Sequence, residues 1–253
     1  MLPFFRKIRW RLAANNQFFK YSRYAIGEIV LVVIGILIAL YINNWNEDQK
    51  EIKIQIGYLQ RMHTDIQKDT TYLRQKIRRA QSEQKSYYDF IHSMYEVQTT
   101  KEDFVNLISS AEWDADELIL QDDTFTEITT SGKLDLIRND QLKISIIEYY
   151  RNYAIADKHI AEMNATGIDL LQFFTPIMWK YYDSHPSEVF DQEQMFDLKG
   201  LDFINDPSSD EFRRFEGTAG FYSTKQVVFS GYYNNLLLSA TKLLEQIQYE
   251  IEQ

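Results

Sequence analysis

The sequence predicts an all-α protein in which one N-terminal transmembrane helix continues into an extracytoplasmic bundle of long antiparallel helices, similar to a four-helix bundle. Two observations favour this fold class. Glycine and proline together are only 13 of the 253 residues, about 5% against roughly 12% in average usage. So few turn-forming residues indicate long helices, and the apolar residues recur at helical spacing over most of the chain.

The candidate transmembrane helix is residues 25–45. Residues 29–42 are apolar apart from one tyrosine, and the four residues before them add a single charge, Glu28. Eighteen helical residues extend about 27 Å, close to the thickness of the hydrocarbon core of a bilayer. Tyr24 and Trp45 flank the run, as is typical of the two membrane interfaces. The run lacks a small-x-small cleavage site, which predicts an uncleaved anchor and not a signal peptide.

The distribution of charge predicts the orientation of this helix. Residues 1–24 carry six basic side chains and no acidic one, whereas residues 46–253 carry 21 basic and 36 acidic side chains. The positive-inside rule therefore places 1–24 in the cytoplasm and 46–253 outside it, in the periplasm of a bacterium with an inner membrane. The predicted interfacial anchors are Tyr24, Trp45, Arg6, Arg9, Arg11, Lys20 and Arg23.

Three residues of the span are candidate functional residues. Gly35 and Ala39 are small and four positions apart, which lets a second helix approach closely. Glu28 lies two turns before Gly35 on nearly the same face, and three roles for it stay open. In the first, its carboxylate reaches back to the cytoplasmic interface and pairs with Arg23 or a lipid. In the second, it packs inside an oligomer. In the third, it transfers protons as the membrane acid of a proton-driven motor does.

The same residues resemble the signature of a known family. The motif includes Lys20-Tyr21, the run from Tyr24 to Leu40 and Ile42-Asn43-Asn44-Trp45-Asn46-Glu47, with a second patch at Thr130-Ser131-Gly132-Lys133-Leu134 and Glu148-Tyr149-Tyr150. This pattern is similar to the domain of unknown function 6090 family, bacterial single-pass membrane proteins common in Bacteroidota. Tyr41 departs from it, since a polar residue is expected there. The resemblance implies the topology and brings no known activity, cofactor or catalytic residue.

Outside the span, the apolar spacing predicts a coiled-coil-like helix over roughly 46–97. One row of positions in steps of seven is Ile52, Leu59, Ile66, Leu73, Ala80, Tyr87 and Met94, and the companion row four positions later is Ile56, His63, Thr70, Ile77, Gln84 and Ile91.

Two further long helices and several short elements complete the predicted bundle. One helix begins at a cap, Asn139 or Asp140, and ends at His185-Pro186. The other includes Val228 and runs to the C-terminus. Short helices are expected over 101–111 and 122–130, a loop over 183–206, and a helix start at Pro207 with a capping box of Ser208 and Glu211.

No pattern in the sequence points to catalysis, a cofactor or a metal. The chain has no cysteine, which excludes a disulfide framework, a thiolate zinc site and a thiol nucleophile. Its four histidines form no metal-binding pair, and the acidic residues of 112–123 lack the glycine and spacing of a calcium loop, so a solvated loop is predicted there. Four adjacent tyrosine pairs predict packing at the core edge, with an aromatic pocket as the alternative.

These observations predict a non-enzymatic membrane protein of unknown process whose outer domain mediates protein interaction or oligomerisation. The expected partners are the lipid bilayer and either a second copy or another membrane protein. Nucleic acid is not expected as a partner, because the acidic outer region repels phosphate. Two alternatives stay open: a periplasmic ligand sensor that relays to a partner, and an accessory subunit of a proton-driven motor that uses Glu28.

Overall fold

The structure is a computed structural model that describes residues 17–96, 100–101, 103–104, 108, 111–173 and 198–253. Contacts between residues divide the chain into two units, Met1–Ile56 and Gly57–Gln253. The α-helices whose bounds the described residues give are α1, Gln17–Met94; α2, Asp123–Thr130; α3, Asp140–Gln172; and α4, Asp210–Glu252. Two short 3-10 helices are Leu134–Leu136 and Leu198–Asn205. The described residues contain no strand, which confirms the all-α class.

In the first unit, the candidate span is an exposed apolar surface. Helix α1 is long and apolar enough there to cross a membrane, and none of its most apolar stretch is buried by the chain. Side chains on every side of the helix are exposed, including Leu31, Leu37 and Tyr41. A soluble protein rarely leaves so large an apolar surface uncovered, so this stretch requires lipid or another protein around it.

In the second unit, α1 buries the first of its two predicted rows and only part of the companion row. Positions in steps of seven from Leu59 to Met94 are all buried, as predicted. The companion row is only partly confirmed: Thr70 is buried and Ile77 and Ile91 pack against the core, whereas Gln84 is exposed. The row three positions after the first is buried more consistently. That row contains Met62, Asp69, Lys76, Glu83 and Phe90. In a helix with 3.6 residues per turn, the positions three and four residues after a buried residue both lie beside it. The polar residues Asp69, Lys76 and Glu83 in the row three positions later made that row look exposed in the sequence.

Helices α3 and α4 pack against each other in opposite directions. Tyr222 of α4 lies beside Gly167 of α3, and ten residues later Tyr232 bonds to His159, eight residues earlier on α3. Helix α1 also runs opposite to α4, since Glu83 bonds to Gln226 and Tyr95 to Glu216. The second unit, which we call the outer unit after the outer domain predicted from the sequence, is therefore built on three long helices, as predicted.

The beginnings of the helices test the predicted caps. Asn139 caps α3, accepting a hydrogen bond from the N–H of Leu142 at 3.1 Å, and α2 matches the predicted helix at 122–130. Helix α4 begins at Asp210, three residues after the helix start predicted at Pro207, and continues through the pattern that includes Val228 to Glu252. Its cap is Ser209, whose Oγ accepts from the N–H of Phe212 at 3.2 Å. The predicted Ser208 cap is wrong, because its Oγ donates to Asp206 at 2.6 Å.

Three predictions are only partly within the described residues. The predicted end of α3 at His185-Pro186 lies outside them, as does most of the short helix at 101–111, of which 101, 103, 104 and 108 are helical. The loop predicted over 183–206 is wrong for Leu198–Asn205, which forms a 3-10 helix kinked at Leu201. Its apolar residues Leu201, Phe203 and Ile204 pack into the core, so the segment folds onto the bundle.

Gly167 makes a testable contact between α3 and α4. A Cβ there would lie 3.0 Å from Oη and 3.1 Å from Cζ of Tyr222, whose ring is fully buried against Tyr87 and Trp113. We expect Gly167→Ala to lower the free energy of unfolding by about 1–2 kcal/mol, because a packed ring cannot give way. Urea unfolding measures this.

The matched control is Gly57→Ala in α1, where the added Cβ meets nothing within 4 Å. That change should be neutral or raise the free energy of unfolding by up to about 1 kcal/mol, since alanine favours helix more than glycine. Equal stabilisation by the two substitutions would show that Tyr222 does not constrain α3.

Candidate functional site

The residues predicted as sites in the span lie along one helix. Arg23 and Glu28 line a shallow depression on α1 together with Gly27 and Leu31, which is consistent with an interfacial position of Glu28 and does not decide its role. A Cβ on Gly35 would meet nothing within 4 Å, and Ala39 is exposed. This face is therefore open to a second helix or to lipid.

The predicted interfacial anchors are placed only in part. Trp45 and Arg23 are exposed on α1. Lys20 and Tyr24 have helical backbone in α1, and their side chains lie outside the described part. Arg6, Arg9 and Arg11 lie outside the described residues, so their interfacial role stays a prediction.

The outer unit contains a buried group of charges that the sequence did not reveal. We call Lys76, Glu83, Asp116 and Lys225, with Arg79 at their edge, the ionic cluster. Lys76 pairs with Asp116, and Arg79 pairs with Glu83. The ε-ammonium of Lys225, only 1% exposed, donates to the carbonyl of Asp114 at 2.9 Å and to Oδ1 of Asn164 at 3.3 Å.

The ionic cluster joins α1, α4 and the segment between α1 and α2, and Lys225 also bonds Asn164 of α3. Helix α1 supplies Lys76, Arg79 and Glu83, which lie on one face because they are three and four residues apart. Asp116 comes from the segment between α1 and α2, and Lys225 comes from α4. Buried charges are costly unless they are paired and hydrogen-bonded. Because these partners come from distant parts of the chain, the cluster specifies how those parts fit together.

Burial and charge act in opposition on the ionic cluster. Burial raises the pKa of Glu83, and its hydrogen bond and ion pair with Arg79 work against that rise. Burial lowers the pKa of Lys225, while the carboxylates of Asp114, Glu83 and Asp116 oppose the fall. The charged forms thus depend on one another, as expected for groups held in a place of low polarity.

The segment 112–121, which we call the strap, lies against the bundle without forming helix or strand. Its side chains alternate, with Asp116, Leu118 and Leu120 buried and Glu117 and Ile119 exposed. The predicted solvated acidic loop is therefore wrong at Asp116. The burial of Asp116 could not be predicted from its neighbours, because the partner that favours it, Lys76, is forty residues earlier.

Helix side chains bond the backbone of the strap. Tyr72 donates to the carbonyl of Glu117 at 3.0 Å, Tyr150 donates to that of Gln121 at 3.3 Å, and Asn164 donates to that of Asp116 at 3.0 Å. Tyr87 donates to the carbonyl of Glu112. Buried backbone groups outside regular structure need such partners. These side chains bond the carbonyls that a neighbouring strand would bond in a β-sheet, and so they hold the strap against the bundle.

The tyrosine pairs follow the predicted packing with one correction. Tyr87 is buried while Tyr88 is exposed, as expected for adjacent helical residues. Tyr149 and Tyr150 are both buried, because Tyr149 faces Asp69 of α1 while Tyr150 bonds the strap at Gln121 and stacks on Phe125 of α2. The pair at 181–182 lies outside the described residues. The hydroxyls of Tyr72, Tyr87 and Tyr150 that reach the strap donate hydrogen bonds to its backbone carbonyls.

Asp69 is a buried acid outside the ionic cluster, and it bonds the end of the strap. Its carboxylate accepts the N–H of Gln121 and the O–H of Tyr149, both at 2.9 Å. Burial, with a smaller contribution from the carboxylates of Asp65 and Asp122, raises the pKa of Asp69 to about 6 despite these two hydrogen bonds. Asp69 therefore changes charge near pH 6 and not near pH 4, where an exposed aspartate titrates.

The described residues place no group of three or more histidine and acidic side chains where they could hold a metal ion. His63 is half-buried on α1, the boundary position expected of it. His159 shares a hydrogen bond with Tyr232, and His92 lies 3.5 Å from Glu96.

Comparison with known families now adds one fact. Residues 28–171, more than half of the chain, match the model of a family of unknown function, DUF6090. The chain belongs to this family. The DUF6090 match begins at Glu28 and covers the rest of the span, the strap and most of α3, and it leaves out α4 with Lys225. No curated protein and no solved structure matches the chain.

Proposed function

We propose that this DUF6090 protein is a single-pass protein of a bacterial inner membrane whose periplasmic helical domain mediates protein interaction through oligomerisation. The observation that carries the proposal is the candidate span itself. It is apolar on all sides, uncovered by the chain, and open at Gly35. The basic residues before it and the acidic domain after it support a cytoplasmic N-terminus.

The ionic cluster supports a structural role for the outer domain. Lys76, Glu83, Asp116 and Lys225 each bond to another part of the domain. Side chains committed to such bonds position helices and the strap relative to one another. A domain of fixed shape suits the presentation of a surface to a partner, and we propose that the protein is not an enzyme.

Sensing is a second candidate function, favoured by the placement of Asp69. Its carboxylate connects α1, α3 and the strap through two hydrogen bonds. A change of its charge would alter how tightly the strap is held, which would let the domain report periplasmic acidity to a partner. The pH experiment described in the Discussion measures the energetic basis of this candidate.

Cysteine crosslinking tests oligomerisation of the span, and the chain has no native cysteine to interfere. We expect Gly35→Cys and Ala39→Cys to form disulfide-linked dimers in native membranes, because both lie on the predicted packing face. Leu37→Cys is the matched control, since it lies on the opposite side of the helix. Crosslinking that is absent at all three positions, or equal at all three, would contradict this proposal.

A further inference from the structure

Helix α4 presents an uncharged face to solvent. From Gly217 to Thr241 the single charged residue is Lys225, which is buried. Val227 and Leu238 on the outer side are 51% and 74% exposed. The outward positions, which we call the α4 seam, are Gly217, Gly220, Thr224, Val227, Gly231, Asn234, Leu238 and Thr241.

The α4 seam has the spacing of a helix-pairing surface. Its members alternate in steps of three and four, so that each position recurs after seven residues through nearly four heptads. These positions therefore form one continuous side of α4, along which a second helix can make contact over its whole length. At 1.5 Å per residue the seam is roughly 36 Å long.

Three glycines of the seam touch none of the residues that the structure describes. A Cβ on Gly217, Gly220 or Gly231 would meet nothing within 4 Å. Each glycine inside a helix costs about 1 kcal/mol relative to alanine, and no described backbone or ring beside these three requires a glycine. Glycine on a helix surface permits the close approach of another backbone. A second helix packed against this side of α4 would therefore explain all three glycines.

We infer that the α4 seam pairs with the α4 seam of a second copy of this chain. The inference rests on the proposed oligomerisation and names the surface in the outer domain that carries it. Residues 46–253 have fifteen more acidic than basic side chains, so two copies repel each other over most of their surfaces. The seam is a long helical face without charge, and an uncharged face suits another uncharged face better than it suits a charged partner.

Membrane anchoring favours the symmetric form of this pairing. Two copies inserted in the same orientation are related by a twofold axis, so the same patch meets itself. A seam of one helix per partner is small beside the roughly 800 Å² that each side of a standard interface buries. Anchoring compensates for this by raising the effective concentration of the second copy.

Disulfide crosslinking of the full-length protein in native membranes tests the pairing. We expect Gly231→Cys and Leu238→Cys to form dimers at least tenfold more than Arg74→Cys, an exposed position on α1. In the Gly231→Cys protein, adding Leu238→Glu should abolish the crosslink by placing two like charges opposite each other. Its thermal unfolding midpoint should not change, because Leu238 is exposed.

The outcomes separate this inference from the proposed function. Crosslinking through Gly35→Cys without crosslinking through the seam would overturn the α4 pairing and leave oligomerisation standing. Crosslinking at Arg74→Cys as strong as at the seam would overturn the pairing too, as would a complex that contains one copy of this chain and a different protein. A purely monomeric protein in the membrane would overturn both.

Discussion

Asp116→Asn should lower the free energy of unfolding by about 3 kcal/mol. The substitution keeps the shape of the side chain and removes its charge, so Lys76, whose side chain is only 11% exposed, loses the carboxylate that pairs with it. Removal of one partner from a buried ion pair typically costs about 3–5 kcal/mol, because the other charge stays buried without compensation. Urea unfolding of the full-length protein in detergent, followed by near-ultraviolet circular dichroism, measures the loss.

The same chemical change at an exposed ion pair gives the control. Glu127 pairs with Arg61 through two hydrogen bonds, and both side chains are half exposed. Glu127→Gln should cost much less than Asp116→Asn, because surface ion pairs contribute little to stability. Similar losses at the two positions would mean that the ionic cluster is not a buried group of charges.

Replacement of both buried partners distinguishes charge from packing. The double variant Lys76→Met with Asp116→Leu leaves no unpaired charge in the domain, and apolar pairs of similar volume often replace buried ion pairs without loss. We expect it to recover most of the stability that Asp116→Asn loses. A double variant as unstable as the single one would contradict this, and would indicate that the carbonyl and amide partners depend on the charges.

Asp69→Asn should remove a large part of the pH dependence of stability between pH 4 and pH 7. The pKa of Asp69 is about 6 in the folded protein against an ordinary value of 3.8, so the folded protein holds a proton that the unfolded chain has released. Stability from this group is therefore fully present below pH 3.8 and is lost as pH rises through 6. A difference of about two pKa units corresponds to about 3 kcal/mol.

Unfolding at pH 4, 5, 6 and 7 measures this effect as a difference between wild type and variant. The wild type should lose about 3 kcal/mol more than Asp69→Asn over the range, since asparagine does not titrate. Asp157→Asn, an exposed position on α3, should retain the dependence of the wild type. Parallel curves for the wild type and Asp69→Asn would contradict the assignment of the buried proton to Asp69.

Local chemistry made part of the structure predictable. The apolar run of the span needs only composition and length to be recognised, and the Asn139 cap needs only the preference of asparagine for the residue before a helix. The buried row that includes Leu59 and Leu73 follows from spacing alone. Each of these features depends on neighbours in sequence, which is why the sequence was sufficient for them.

The features that the sequence did not predict depend on partners far along the chain. Asp69, Lys76 and Glu83 lie on the buried face of α1, yet their residue types point to solvent unless Asp116, Tyr149 and Gln226 are known to face them. The helix start at Pro207 and the apolar pattern that includes Val228 were not joined into one predicted helix, because Gly217 and Gly220 interrupt the pattern between them. Their positions on the outer face of α4 explain why the helix continues through them.

The mass of the full-length protein, extracted in patches of its own membrane, tests the proposed function most directly. Native mass spectrometry should find two copies of the chain in one particle, and Leu238→Glu combined with bulky substitutions at Gly35 and Ala39 should convert it to one copy. A wild-type particle with a single copy and no other protein would contradict an anchored domain that acts by association.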